Sequence, residues 1–179
     1  MRLRFLTATP LEVRRGSGTF VGIRSLTDAL AALGAEVHFL TPRLHLPVFT
    51  AERLLFNETL RWRAAPPCDL QVGFDMDGYR LAGRTSVPHV AALKGVIADE
   101  LRFQKGLTYA SMAVQARCEA LHARRADLVI ATSRYSAAQV RRHYGVDAAV
   151  VPELIDLASW RRLLAANPAS PDAAKFTVL

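Results

Sequence analysis

Cysteine is scarce: Cys68 and Cys118 are the only two in 179 residues. They form no metal-ligand spacing, fit a reduced cytoplasmic setting, and are expected to pack as thiols rather than react. No apolar run approaches the roughly 20 residues that span a bilayer, and Arg2 and Arg4 are not followed by the apolar core of a signal peptide. Acidic residues are outnumbered, 16 Asp and Glu against 23 Lys and Arg, for a formal charge of +7. The arginines come in pairs, Arg14-Arg15, Arg124-Arg125, Arg141-Arg142 and Arg161-Arg162. That balance favours anionic partners such as nucleotide phosphates or acidic lipid headgroups. A helix-turn-helix, an aromatic-studded sheet and a zinc knuckle are all missing, so nucleic acid is not expected as a partner. What remains is a globular chain, 51% hydrophobic, long enough for one domain with a sizeable core.

The stretch from Leu3 to Leu33 organises the rest. Leu3, Phe5 and Leu6 read as a buried first strand, and Ile23, Leu26, Leu30 and Leu33 recur at steps of three and four, one face of a helix. Between them stands Gly16-Ser17-Gly18-Thr19. Two glycines let the backbone approach a ligand closely, and Ser17 or Thr19 can cap the helix. The helix N-terminus there offers unpaired N–H groups and a positive dipole end, which suit phosphate. A plain capped turn would look the same, because a short glycine motif is weakly specific.

Gly34 stops the helix, and residues 36–40 read as a second strand. A dinucleotide-binding unit would place an acid near the end of that strand for the ribose hydroxyls. Thr41, Pro42 and Arg43 stand there instead, and the spacing of Gly16, Gly18 and Gly22 is not G-x-G-x-x-G. A nucleotide-binding oxidoreductase is therefore a weak alternative. Thr50 can cap a helix reaching about Arg63, with Leu54, Leu55, Phe56 and Leu60 packing and Trp62 beneath it. Residues 69–74 give a third strand, followed by Asp75-Met76-Asp77-Gly78, two carboxylates where open α/β sheets keep their ligands. An Asx-type turn closed by Gly78 accounts for at least one of them. No third carboxylate or histidine lies close enough in sequence to suggest a metal.

Residues 88–95 supply a fourth strand with Lys94 at its C-terminal end, facing the same rim, while His89 at the strand start reads as structural. A long helical region to Arg125, broken near Gly106, is expected to turn Leu107, Ala110, Val114, Cys118 and Leu121 inward. A fifth strand then ends at the cap Ser133, before Arg134, and leads to a helix with Ala137, Val140 and Tyr144 inward and Gly145 as its stop. Residues 148–152 make a sixth strand, and Asp156 opens a short helix through Trp160 and Leu164. The fold class is thus α/β, Rossmann-like and doubly wound: about six mostly parallel strands with helices on both faces.

Several segments together resemble the N-terminal domain of retaining glycosyltransferases of the two-domain GT-B type, in family four. They are G-S-G-T at Gly16 to Thr19, A-L-A-A-L-G-A-E-V-H-F-L-T from Ala29 to Thr41, A-D-L-V-I-A-T-S from Ala126 to Ser133, and V-V-P-E-L-I-D from Val150 to Asp156. The last two resemble the family's paired "A-D-x-V-I-x-x-S" and "V-I-P-N-G-V-D" motifs in order and spacing. The resemblance implies transfer of a sugar from a nucleotide-diphosphate sugar to an acceptor hydroxyl, with retention and no cofactor beyond the donor itself. It implies that residues 1–166 bind the acceptor, a glycan, lipid or small molecule. Residues 167–174, rich in proline and small residues, would be a linker, and residues 175–179 the first strand of a missing donor-binding domain that holds the catalytic glutamates. Gly16, Ser17, Gly18, Thr19, Asp75, Asp77, Lys94, Ser133, Arg134 and Glu153 are the expected substrate-binding residues. Two departures stand out: Lys94 where many members carry histidine, and Glu153-Leu154 where the family pattern has Asn-Gly. A non-catalytic binding module, or one half of a split transferase, is the rival reading. The expected setting is the cytoplasm or the inner membrane face, where the arginine pairs permit a membrane-surface acceptor without requiring one.

Overall fold

The computed structural model describes residues 1–11, 18–155 and 157–166. Gly16, Ser17, Asp156, the expected linker and the expected strand at residues 175–179 lie outside them. Six parallel strands form one sheet: β1 (Arg2–Leu6), β2 (Glu36–Leu40), β3 (Leu70–Phe74), β4 (His89–Leu93), β5 (Leu128–Ala131) and β6 (Ala149–Val150), in the order β2-β1-β3-β4-β5-β6. The chain winds one way from β1 to β2 and the other way from β3 onward. The change of direction leaves a crevice beyond the C-terminal ends of β1 and β3, where doubly wound sheets bind ligands.

Helices α1 (Gly18–Ala32), α2 (Phe49–Thr59), α3 (Ile97–Glu100), α4 (Gly106–Arg125), α5 (Arg134–Tyr144) and α6 (Leu157–Ala166) complete the described chain. None is long and apolar enough to cross a membrane. Phe5 on the central β1 meets Phe39 and Phe74 edge to face at 5.5 and 5.2 Å, joining three strands in one aromatic cluster. Val140 and Tyr144 of α5 close the other half of the core against Ala91, Leu93 and Val129. Gly34 and Gly145 end α1 and α5 with φ of 81° and 70°, a conformation that favours glycine.

Several packing expectations are corrected. Leu33 lies just past α1 and is 83% exposed, so the apolar stripe ends one turn earlier. Helix α2 begins at Phe49 after Val48, with no side-chain cap; Thr50 Oγ1 instead accepts from Gln115 Nε2. Trp62 does not pack beneath α2: it sits on a 3-10 turn, Leu60–Trp62, 68% exposed, with the Arg61 guanidinium 3.8 Å above its ring. Leu55 is likewise exposed. In α4 the expected face is largely the wrong one: Leu107 is 90% exposed, and Val114 and Leu121 also face water. The helix buries Gln115, Ala116, Cys118, Glu119, His122 and Ala123. Polar residues at positions 115, 119 and 122 keep helical spacing, and their hydrogen bonds hold the loops above the sheet. The expected sixth strand shrinks to two residues.

Candidate functional site

The site grows from the end of β3. Asp75 has φ of 52°, the left-handed region, unusual for a residue with a Cβ. Three bonds hold it there. Its N–H donates to the Ala92 carbonyl at 3.0 Å, its Oδ1 accepts from the Lys94 N–H at 2.9 Å, and its carbonyl accepts from His122 Nδ1 at 2.5 Å. This brings the carboxylate to the cleft between α1, α2 and the β4–α3 loop.

Since a carbonyl only accepts, His122 carries its proton on Nδ1. Its Nε2 therefore accepts from His89 Nε2, 2.7 Å away. Both rings are neutral: burial pushes His122 down to about 4, and burial together with His122 pushes His89 down to about 3. His89 is structural, as expected. Gly73 makes room for the pair, because a Cβ there would stand 2.6 Å from the His122 ring.

Asp77, expected beside Asp75 in the site, is fully buried and does not face the cleft. Its Oδ2 accepts from the Ala8 N–H at 2.7 Å, bridging β1 to the β3 loop across the crevice floor. The Arg53 guanidinium bonds both its oxygens at 3.2–3.4 Å, and Asn57 Nδ2 donates to Oδ1 at 3.0 Å. Asn57 Oδ1 takes the Gly78 N–H at 2.7 Å, which closes the turn. Arg53 also stands 3.6 Å from Asp75 Oδ2 and donates to Gln115 Oε1 at 3.2 Å. Burial opposes its charge, but Asp77 and Asp75 outweigh that and raise its pKa. For Asp75 burial wins, and its carboxyl is raised above the usual range despite Arg53 and the Lys94 N–H.

Above this buried network lies a cleft of about 370 Å³, lined by Thr19, Arg53, Asp75, Lys94, Glu100 and Gln115 among others. Of the expected site residues, Thr19, Asp75 and Lys94 are thus brought together, with Gly18 at the start of α1 adjoining Thr19. Lys94 is neither free nor in water: its Nζ pairs with Glu153 Oε1 at 2.8 Å, tying β4 to the segment before α6. Glu153 in turn lies against α1, where a Cβ on Gly22 would come within 2.3 Å of Oε2. Ser133 and Arg134 lie apart from the cleft lining. Ser133 caps α5 by accepting the Ser136 N–H at 3.0 Å, and Arg134 is exposed.

Arg53, Gln115 and Glu100 were not foreseen. The one signal in the sequence was the i, i+4 spacing of Arg53 and Asn57, which on a helix ordinarily marks a solvated face. Glu119 was equally hidden. It is fully buried, accepts the Ile97 N–H at 2.9 Å and the Tyr144 hydroxyl, and has its pKa raised to about 8 by burial and by Asp75. Among the described residues no group of three His, Cys, Asp or Glu is placed to hold a metal ion.

Residues 72–159, from within β3 into α6, match the family model described as Glycosyltransferase Family 4. These residues carry a glycosyltransferase family 4 domain. The match spans Asp75, Lys94 and Glu153, and the all-parallel sheet with helices on both faces agrees with the N-terminal half of a GT-B fold. It supports a glycosyltransferase. No curated protein matches the chain. In this glycosyltransferase domain the rim cleft gathers a helix start, a cation and a carboxylate around one opening.

Proposed function

We propose that the chain is the acceptor-side domain of an enzyme that moves a sugar from a nucleotide-diphosphate sugar to an acceptor hydroxyl with retention. The observation that carries this reading is the meeting of Thr19, Asp75 and Lys94 in one cleft at the switch point of a family 4 sheet. As the donor's glycosidic bond breaks, negative charge grows on the leaving diphosphate. Groups fixed in place beforehand stabilise such charge most effectively. The N–H groups at the start of α1 and the Lys94 ammonium are arranged for that role. Lys94 reaches a phosphate only by loosening Glu153, so the pair acts as a latch that donor binding opens. The Asp75 carboxyl, held by its strained backbone, accepts a hydrogen bond from the sugar or from the incoming hydroxyl.

In this reading residues 167–174 lead to a second α/β domain beginning at 175, which binds the nucleotide and supplies the acidic catalytic groups. Acceptor binding belongs to residues 1–166. The test is to express the gene's whole reading frame, incubate it with a panel of nucleotide-diphosphate sugars crossed with a panel of glycan, lipid and small-molecule acceptors, and follow nucleoside diphosphate release and the anomeric configuration of the glycoside product by NMR. Release with retained configuration is expected. Inversion would overturn the retaining assignment, and inertness toward every donor would overturn the transferase reading. The isolated 179-residue chain is expected not to retain UDP-glucose binding; if it does, the donor site lies on this half.

A further inference from the structure

A second cleft lies away from the rim site, at the β2 edge of the sheet. Pro42, Arg43 and Leu44, after β2, face Leu55, Phe56 and Arg63 across about 280 Å³. Apolar carbon makes its walls, two guanidiniums adjoin it, and no carboxylate lines it. The nearby acids of α2 are engaged elsewhere. Glu58 takes Arg80 and the Tyr79 hydroxyl, and Glu52 takes the Leu46 N–H and His45.

Arg63 is fixed in place. It donates to the Thr41 carbonyl at 2.5 Å, and its guanidinium stands 5.9 Å from the centre of the Phe56 ring. Its Nε is nevertheless buried with no acceptor. Burial and the neighbouring Arg43 charge both hold its pKa below the ordinary arginine value. Arg43 is exposed, and no described residue bonds or pairs with it. Two like charges on one apolar cleft repel, and an unpaired buried donor adds to the penalty. An anion between them relieves the repulsion, and the planar guanidinium fork suits phosphate oxygens. The apolar wall narrows the choice further: a free hydrated ion gains nothing from Leu44, Leu55 and Phe56, whereas hydrocarbon does.

We propose that this cleft binds an anionic lipid, with its phosphate between Arg43 and Arg63 and the start of its hydrocarbon chain against Leu44, Leu55 and Phe56. The space accepts a phosphate and a short length of chain, so the remainder of the lipid stays outside the protein. Trp62, exposed beside Arg63 in sequence and covered by Arg61, presents an apolar body with a polar edge, as residues at a headgroup layer do. The site stands whether or not the rim cleft transfers sugar.

Calorimetric titration of the chain with octyl phosphate below its micellar concentration, with inorganic phosphate and with octyl glucoside separates the contributions. Octyl phosphate is expected to saturate one site, inorganic phosphate to bind at least about tenfold more weakly, and octyl glucoside not to saturate. Arg43→Gln touches no contact that holds the fold and should weaken octyl phosphate about tenfold or more, the range for losing a charged hydrogen bond. Leu55→Ser, on an exposed position, should weaken octyl phosphate while leaving inorganic phosphate unchanged. Equal affinity for inorganic phosphate would make this a free-anion site and overturn the lipid assignment. Equal affinity for octyl glucoside, indifference to Arg43→Gln, or no saturable binding of octyl phosphate would overturn the site itself.

Discussion

Gly22 has no Cβ, and one built there would sit 2.3 Å from Glu153 Oε2. Alanine is favoured over glycine inside a helix by about 1 kcal/mol. Here that gain is offset, because the added methyl drives Glu153 off Lys94. Gly22→Ala should therefore be neutral or destabilising in the native chain and stabilising by about 0.5–1 kcal/mol once Glu153→Ala is in place. Urea unfolding of the four proteins of that cycle checks it; the same effect in both backgrounds would contradict the contact. Asp77 gives a larger figure. Its removal leaves Arg53 charged, buried and without its main partner, so Asp77→Ala should cost about 3–5 kcal/mol. A loss below about 1 kcal/mol by urea unfolding would show that the network is not the anchor described above.

At the scale of elements, α4 couples stability to pH through Glu119 and His122. Burial holds the Glu119 proton to about pH 8, whereas the unfolded chain releases it near the ordinary glutamate value of 4.5. Between those values the folded state binds the extra proton, so stability falls as pH rises. His122 and His89 run the other way. Unfolded, they take up protons below about 6.5; folded, they do so only near about 4 and about 3, so stability falls as pH drops below 6.5. By about pH 7.5 the unfolded histidines have lost most of their protons, so from there to about pH 8.5 Glu119 sets the slope. The decline expected there should flatten in Glu119→Gln, which keeps an acceptor for the Ile97 N–H and the Tyr144 hydroxyl. Parallel slopes in native and variant chains, measured by urea unfolding across that range, would contradict the burial account. Leu107, 90% exposed, should tolerate Gln within about 0.5 kcal/mol.

The same helix shows where the sequence could be read and where it could not. β2 was legible to the residue, because Glu36 to Leu40 is bounded by a glycine stop and a proline. The cap at Ser133 and the stop at Gly145 were legible too, since each works through its own backbone neighbours. In α4 the apolar stripe misled. Leu107, Val114 and Leu121 keep helical spacing, but the loops after β3 and β4 need polar partners more than the core needs leucines. Gln115, Glu119 and His122 supply them across distances no local pattern records. The site divides in the same way. Asp75 and Lys94 were legible as strand-end residues, whereas Arg53 became a site residue only when α2 folded onto the β3 loop.

For the whole molecule, the doubly wound sheet fixes one crevice, between β1 and β3, and Asp77 closes its floor through the Ala8 N–H. In the proposed reading, the sugar transfer is thereby placed at the level of Thr19, Asp75 and Lys94. The central claim, that this rim is where the donor's phosphates and sugar meet the domain, is tested most directly by hydrogen–deuterium exchange. The product of the whole reading frame is measured with and without a saturating nucleotide-diphosphate sugar that it turns over. The account predicts slowed exchange at residues 18–22, 75–78 and 94–97, with β2 and the exposed face of α4 unchanged. Protection confined to other segments, in a protein that turns over the donor, would contradict it.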